Sequence, residues 1–140
     1  MPDKGRQSLA DILKHLSATL LPQTFHFISI DHKDGQVIDI NEIFATVNEQ
    51  EGLTLIIDTR FKDDYPQQEA TNFSCITLEV HSSLEAVGLT AMFSTALANA
   101  GISCNVIAGY YHDHIFVEES RAVEALGVIN GLRTGEMGLK

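Results

Sequence analysis

Basic residues are scarce in this chain. Nine Lys and Arg stand against nineteen Asp and Glu, a formal net charge of −10 at pH 7. A surface of that sign repels phosphate backbones and anionic lipid, so neither a nucleic-acid nor a membrane partner is expected. Long apolar runs are missing as well. No stretch approaches the ~20 residues that cross a bilayer, and the opening MPDKGRQSLADILKHL lacks the continuous apolar segment of a secretory signal. Cysteine is limited to Cys75 and Cys104, both inside apolar, strand-like runs. A single pair gives no metal-ligand spacing and reads as two reduced, buried thiols, in keeping with a cytoplasmic protein. The sequence also has no G-x-S-x-G elbow, no glycine-rich phosphate loop and no H-E-x-x-H. Carboxylates such as Asp58, Asp63 and Asp64 are scattered. The expectation is a protein without catalytic residues, without a cofactor and without a metal.

What remains is a soluble globular composition, 44% apolar and 20% charged over 140 residues. That is one ordinary domain, or two very small ones sharing a core, and it needs no disulfide or metal to fold. The apolar spacing of Leu9, Ile12, Leu13, Leu16 and Leu20 predicts a helix over Ser8–Leu20, capped by Ser8 with Asp11 three residues later and closed by Pro22. TFHFISI alternates as a strand and DHKDG is a turn. EIFATVNE and LTLIIDT read as a hairpin joined at Glu51-Gly52, with glycine expected at a positive backbone angle. The polar, Pro66-containing run Arg60–Asn72 is the connector, dividing the chain into units 1–65 and 66–140.

The second half is more regular. FSCITLEV is a strand with Phe73, Cys75, Thr77 and Glu79 on one face and Ile76, Leu78 and Val80 on the other. A glycine-containing loop, HSSLEAVG, leads into a helix whose face is Leu89, Met92, Phe93, Ala96, Leu97 and Ala100, ended by Gly101 in a left-handed cap. ISCNVIAGY and HIFVE are strands about a turn at Tyr111, His112 and Asp113. A last helix runs from near Ser120 through Val123, Leu126 and Ile129 towards Leu132, before a frayed tail. The halves are not obvious repeats of one another.

The segment LEVHSSLEAVGLTAMFSTALANAGISCNVIAGYYHDHIFVEESRAVEAL resembles an ACT domain, a small regulatory fold attached to many amino-acid-biosynthetic enzymes. More narrowly, it is similar to the aspartate-kinase type and to free-standing tandem-ACT proteins. The first half, Ser8–Arg60, resembles a degenerate first ACT-like unit. The resemblance implies an α+β, ferredoxin-like βαββαβ antiparallel sheet with helices on one face, in two ACT-like units. It implies a non-catalytic regulatory protein binding a small molecule, in all expectation an amino acid, in the loop after the first strand and against the second strand. Position by position these are His81, Ser82, Ser83, Leu84, Glu85, Ala86, Val87 and Gly88, faced by Ser103, Cys104, Asn105, Val106 and Ile107. Two departures stand out. The acidic-x-Pro-Gly form of the loop is replaced by Glu85-Ala86-Val87-Gly88, and no strand follows the last helix. Either the first half supplies that strand or the two halves form one composite sheet.

The loop also has a rationale independent of family. A helix entrance offers free N–H groups and a positive dipole end to a carboxylate, Gly88 permits close backbone approach, and Ser82 and Ser83 are adaptable partners. The competing reading is an ordinary capped connection in a structural or protein-interaction module whose loop is vestigial. His112-Asp113-His114 invites a metal, with His81 or Asp58 as third ligand; a hairpin turn with Asp113 bonding local N–H groups accounts for it better. Tyr110 and Tyr111 are expected to brace that hairpin, His15 and His32 to be solvated, and His26 to be a strand residue. Sheet edges favour pairing, so a homodimer or larger homo-oligomer is expected.

Overall fold

The structure, a computed structural model, describes residues 13–31, 38–65, 70–79 and 88–133. Its elements are β1 (Ser17–Ile30), β2 (Ile43–Asn48), β3 (Leu53–Asp58), β4 (Phe73–Glu79), α1 (Leu89–Asn99), β5 (Cys104–Ala108), β6 (Asp113–Glu118) and α2 (Ala122–Arg133). Short 3₁₀ turns cover Ile40–Glu42, Thr59–Asp64 and Glu119–Arg121. The strands form one six-stranded sheet in the order β2-β3-β1-β4-β6-β5, with every described pairing antiparallel.

One strand holds the two halves together. Residues Ser17–Leu20 of β1 pair with Glu79–Ile76 of β4, and after an irregularity between Leu20 and Thr24 the pairing resumes at Thr24↔Ser74 and Phe25↔Phe73. From Phe25 to Ile30 the same strand pairs with Asp58–Leu53 of β3. The place of the strand missing after the last helix is thus taken by the first half, inside a composite sheet. This corrects the last part of the helix expected over Ser8–Leu20. Of that span, Leu13 and Lys14 are helical, Ser17–Leu20 is strand, and Ser8–Ile12 lie outside the described residues. Leu16, Ala18 and Leu20 also alternate with period two, so these residues serve either element, and the open edge of β4 decides for the strand. Pro22 falls in the irregularity, where a missing N–H leaves no ladder bond broken.

The register shows a relation between the halves that the sequence did not disclose. Phe25↔Asp58 opens the β1–β3 ladder as Phe73↔Glu118 opens the β4–β6 ladder, and each ladder is extended by a hairpin, β2–β3 or β5–β6. The repeat is hidden because the intervening segments differ. Where the second half has α1 and α2, the described residues of the first hold the 3₁₀ turns at Ile40–Glu42 and Thr59–Asp64.

On the helix side of the sheet, Ile76, Leu78, Ile115 and Val117 pack with Leu13, Leu16, Phe93, Leu97, Ile102 and Ile129. The face expected for α1 is the one observed, with Leu89, Phe93, Ala96 and Leu97 buried. Gly101 ends it at φ 76. The Ile102 N–H donates to the Leu97 carbonyl at 2.9 Å and that of Gly101 to the Ala98 carbonyl at 2.9 Å, a Schellman cap with Ile102 and Leu97 buried together. For α2 the buried stripe is Ala122, Ala125, Ile129 and Leu132. Val123, expected inside, is 79% exposed; the alanines let the helix lie close to α1 and β4.

The opposite face of the sheet is aromatic. Phe25, Ile56, Cys75 and Phe116 are buried there. Ile43 pairs with Ile57 and Ala45 with Ile56, which makes Phe44 the extra residue of a bulge and turns its ring onto this face. Phe44 lies 5.3 Å from both Phe25 and Phe116 and 5.0 Å from His114, centroid to centroid. Four strand spacings of a flat sheet would separate β2 from β6 by about 19 Å. The contact therefore requires a strongly curled sheet that closes over its own aromatic residues.

The β2–β3 connection is a two-residue turn, Gln50-Glu51. Glu49 N–H donates to the Gly52 carbonyl at 3.0 Å and Gly52 N–H to that of Glu49 at 3.3 Å. Gly52 is not at positive φ, which corrects the expected role. A Cβ at Gly52 would stand 2.8 Å from the Ile30 carbonyl oxygen and 2.8 Å from Ser29 Oγ. The serine can turn away; the carbonyl cannot. Gly52→Ala is expected to lower stability by about 1–3 kcal/mol, read as a reduced urea midpoint at unchanged slope; an unchanged midpoint would show that close approach is not what glycine provides here.

Candidate functional site

The register fixes one end of the sheet. Ser17 pairs with Glu79, and Leu78 with Asp113, which pairs in turn with Ala108. The start of β1, the end of β4 and the β5–β6 turn therefore meet at this end. His81, Ser82, Ser83, Leu84, Glu85, Ala86 and Val87 lie outside the described residues, as do Ser8–Ile12, His32–Gly35, Pro66, Val80 and the tail beyond Arg133.

Gly88 is described. It is the N-cap of α1 at φ 92, ψ −7, with no side-chain cap bond, and its carbonyl accepts from Met92 N–H at 2.9 Å. A Cβ there would meet nothing within 4 Å, so glycine is required by conformation and not by crowding. The first-turn N–H groups of α1 receive nothing from this cap.

The second expected wall divides. Cys104 and Val106 pack towards the helices, Ile107 against the aromatic face, and Asn105 is exposed. Cys104 pairs with Val117 at the far end of the ladder, whereas Ile107 pairs with His114 and lies in the row of Thr77. At ~3.3 Å per residue Cys104 stands about three residues away from the loop end, and the strand brings Ile107 to it. Both thiols are free, and burial pushes that of Cys75 up to about 11, which makes it an inert core group.

The turn beside the site is Tyr110-Tyr111, closed by Gly109 N–H donating to the His112 carbonyl at 2.8 Å. This corrects the turn expected at Tyr111–Asp113, since Asp113 begins β6. The two tyrosines are 80% and 79% exposed, stacked edge to face at 4.9 Å. His112 and His114 remain neighbours, their ring centroids 6.2 Å apart, and no group of three metal-ligating side chains is found among the described residues. Asp58 caps the Thr59–Asp64 turn through Arg60 N–H at 2.9 Å, at the other end of the ladder from His114. His26, as expected, is a strand residue, and its Nε2 meets Asn72 Oδ1 at 2.6 Å.

Sequence reasoning missed the Thr77–His114 pair. Thr77 Oγ1 and His114 Nδ1 are 3.0 Å apart, directly below the loop end; the signal was the alternation that already set Thr77 opposite Ile76. Burial, then the neighbouring His112, lower the pKa of His114, while Asp113 raises it. The folded state therefore resists protonation more than the unfolded chain, whose histidine titrates at about 6.5. Stability from this group is complete above that pH and declines as pH falls through it towards the lower folded value. His114→Gln is expected to flatten the fall in melting temperature between pH 7.5 and pH 5 relative to the native chain; parallel curves would remove His114 as the cause.

A curled, ferredoxin-like sheet of two related halves, with a glycine-capped helix following β4, defines a tandem ferredoxin-like fold. Residues 71–130 match the ACT domain family, and residues 4–62 match it separately. Together the two matches span most of the chain, which belongs to the ACT domain family. A protein of unknown function from Vibrio cholerae, VC0802, described as a possible transport protein, is 42% identical over 89% of this chain and 95% of its own, with a TM-score of 0.78. Protein Atu0741 from Agrobacterium tumefaciens has a TM-score of 0.67 at 13% identity, covering 85% of this chain and 90% of its own. The ligand-free regulatory subunit of aspartate kinase from Thermus thermophilus has a TM-score of 0.59 at 10% identity, covering 80% and 92%. The last two share the fold. No curated protein matches the sequence significantly. No described helix is long and apolar enough to cross a membrane.

Proposed function

We propose that this chain is a non-catalytic regulatory protein of the cytoplasm that binds a small molecule, an amino acid, at the entrance to α1. Its two units are residues 1–65 and 66–140. The seat is the loop His81, Ser82, Ser83, Leu84, Glu85, Ala86, Val87 and Gly88, faced by a second wall on β5 of which Ile107 and Val106 are the nearer part and Asn105 and Cys104 the farther. The observation that carries this reading is Gly88 itself. A left-handed glycine without a side-chain cap, at a helix entrance in a chain of this family, leaves backbone N–H groups and the positive end of the helix dipole for a carboxylate. The resemblance to an aspartate kinase regulatory subunit supports the regulatory part. The protein works as a homo-oligomer, because β2 and β5 are edge strands of the sheet with ladder groups to offer. Ligand binding would act by favouring one arrangement of that assembly or of a docked enzyme.

A thermal-shift screen against the twenty amino acids tests the reading. At about 100 times its dissociation constant a ligand adds about 2.7 kcal/mol, several degrees in a domain of this size. If none of the twenty raises the melting temperature, the chain is an interaction module and the sensor reading fails.

A further inference from the structure

The two related halves treat one residue differently. In the second half the turn after β6 carries Arg121, each of whose three nitrogens donates a bond: Nε to Glu124 at 2.7 Å, Nη1 to the Gly101 carbonyl at 3.2 Å and Nη2 to that of Ala100 at 3.0 Å. It closes the C-terminus of α1. In the first half the turn after β3 carries Arg60, two residues after Asp58, where Arg121 follows the equivalent Glu118 by three. There the described residues hold no helix for it to close. Arg60 Nε pairs with Asp58 at 3.2 Å, with side-chain exposures of 71% and 12%, and its guanidinium carbon lies 4.8 Å over the Phe61 ring.

Arg60 stands at the rim of a cleft of about 390 Å³ lined by Pro22, Gln23, Thr24, Asp58, Thr59 and Arg60. The cleft exists because β1 runs on past the end of β3: pairing with β3 begins at Phe25, next to the irregularity at Leu21–Gln23. Inside it, Thr24 Oγ1 and Thr59 Oγ1 bond each other at 2.8 Å, which leaves one hydroxyl proton to give away. A near-buried carboxylate and an aromatic ring hold the guanidinium in position, and its remaining Nη donors suit a planar, two-oxygen anion.

We infer that this cleft is a second seat, for a small carboxylate, in the first unit. It is separate from the α1 entrance, and either can be right without the other. The test is an amide chemical-shift titration of the whole chain with acetate and, separately, with inorganic phosphate. Acetate is expected to shift Thr24, Thr59 and Arg60 saturably, whether or not Gly88 and Leu89 also move. Arg60→Gln should weaken this about tenfold without altering the melting temperature, and Arg60→Lys should weaken it less. The inference is overturned if acetate causes no saturable shift at these three residues, or shifts them equally in Arg60→Gln. Phosphate binding as tightly as acetate would overturn the assignment to carboxylates.

Discussion

Phe116→Ala is expected to cost about 3–5 kcal/mol, a large part of the total stability of an ordinary domain. Phe116 is fully buried and is the hub of the aromatic face, edge to face with Phe25 at 5.5 Å, Phe27 at 5.3 Å and Phe44 at 5.3 Å. Edge-to-face pairs contribute about 0.5–1.5 kcal/mol each beyond burial, and the cavity cannot be filled by collapse, because the rest of this cluster sits on five other strands. The curl of the sheet, which brings Phe44 of β2 to β6, depends on that ring. Urea denaturation measures the loss; Phe116→Leu, which retains most of the apolar volume, should recover about half of it. A loss under ~1 kcal/mol for the alanine variant would mean that the aromatic face is not a core.

The second large effect concerns independence of the halves. A fragment of residues 66–140, though it contains a whole ACT match, is expected not to fold cooperatively. It loses β1, which pairs with β4 from Ser17 to Phe25. With β1 go Leu13 and Leu16 from the helix-side core, and Ala18 and Leu20 packed against it. The aromatic face loses Phe25 and Phe27. Ile76, Leu78 and Cys75 would then lie along an open edge, a template for aggregation. Circular dichroism of the fragment should show no sharp thermal transition, and adding residues 1–65 should restore one. A cooperative melt of the fragment alone would show that β1 is an accessory to the second unit.

The second half of the fold was legible because its signals agree: the alternation of Phe73–Glu79, the helical spacing from Leu89 to Ala100 and the stop at Gly101 all point to the same elements. The first half was less so. Leu16, Ala18 and Leu20 fit both periods, and only β4, far away in sequence, selects the strand. Phe44 gave no sign of leaving its alternation, since a bulge is set by pairing with β3. Gly52 was recognised as a turn glycine, but its reason is the Ile30 carbonyl. At the candidate site, Gly88 could be read from its place before a helix, whereas the separation of Cys104 from Ile107 needed the β5–β6 register.

Calorimetric titration of the native chain and of Gly88→Val, with whichever amino acid raises the melting temperature most, addresses the central claim. Valine cannot hold φ 92 without strain, yet its Cβ meets no neighbour, so the fold should survive while the helix entrance changes. The expected result is saturable heat with the native chain and none with a Gly88→Val protein that still melts cooperatively. Equal heat from both would place the ligand elsewhere and contradict the account.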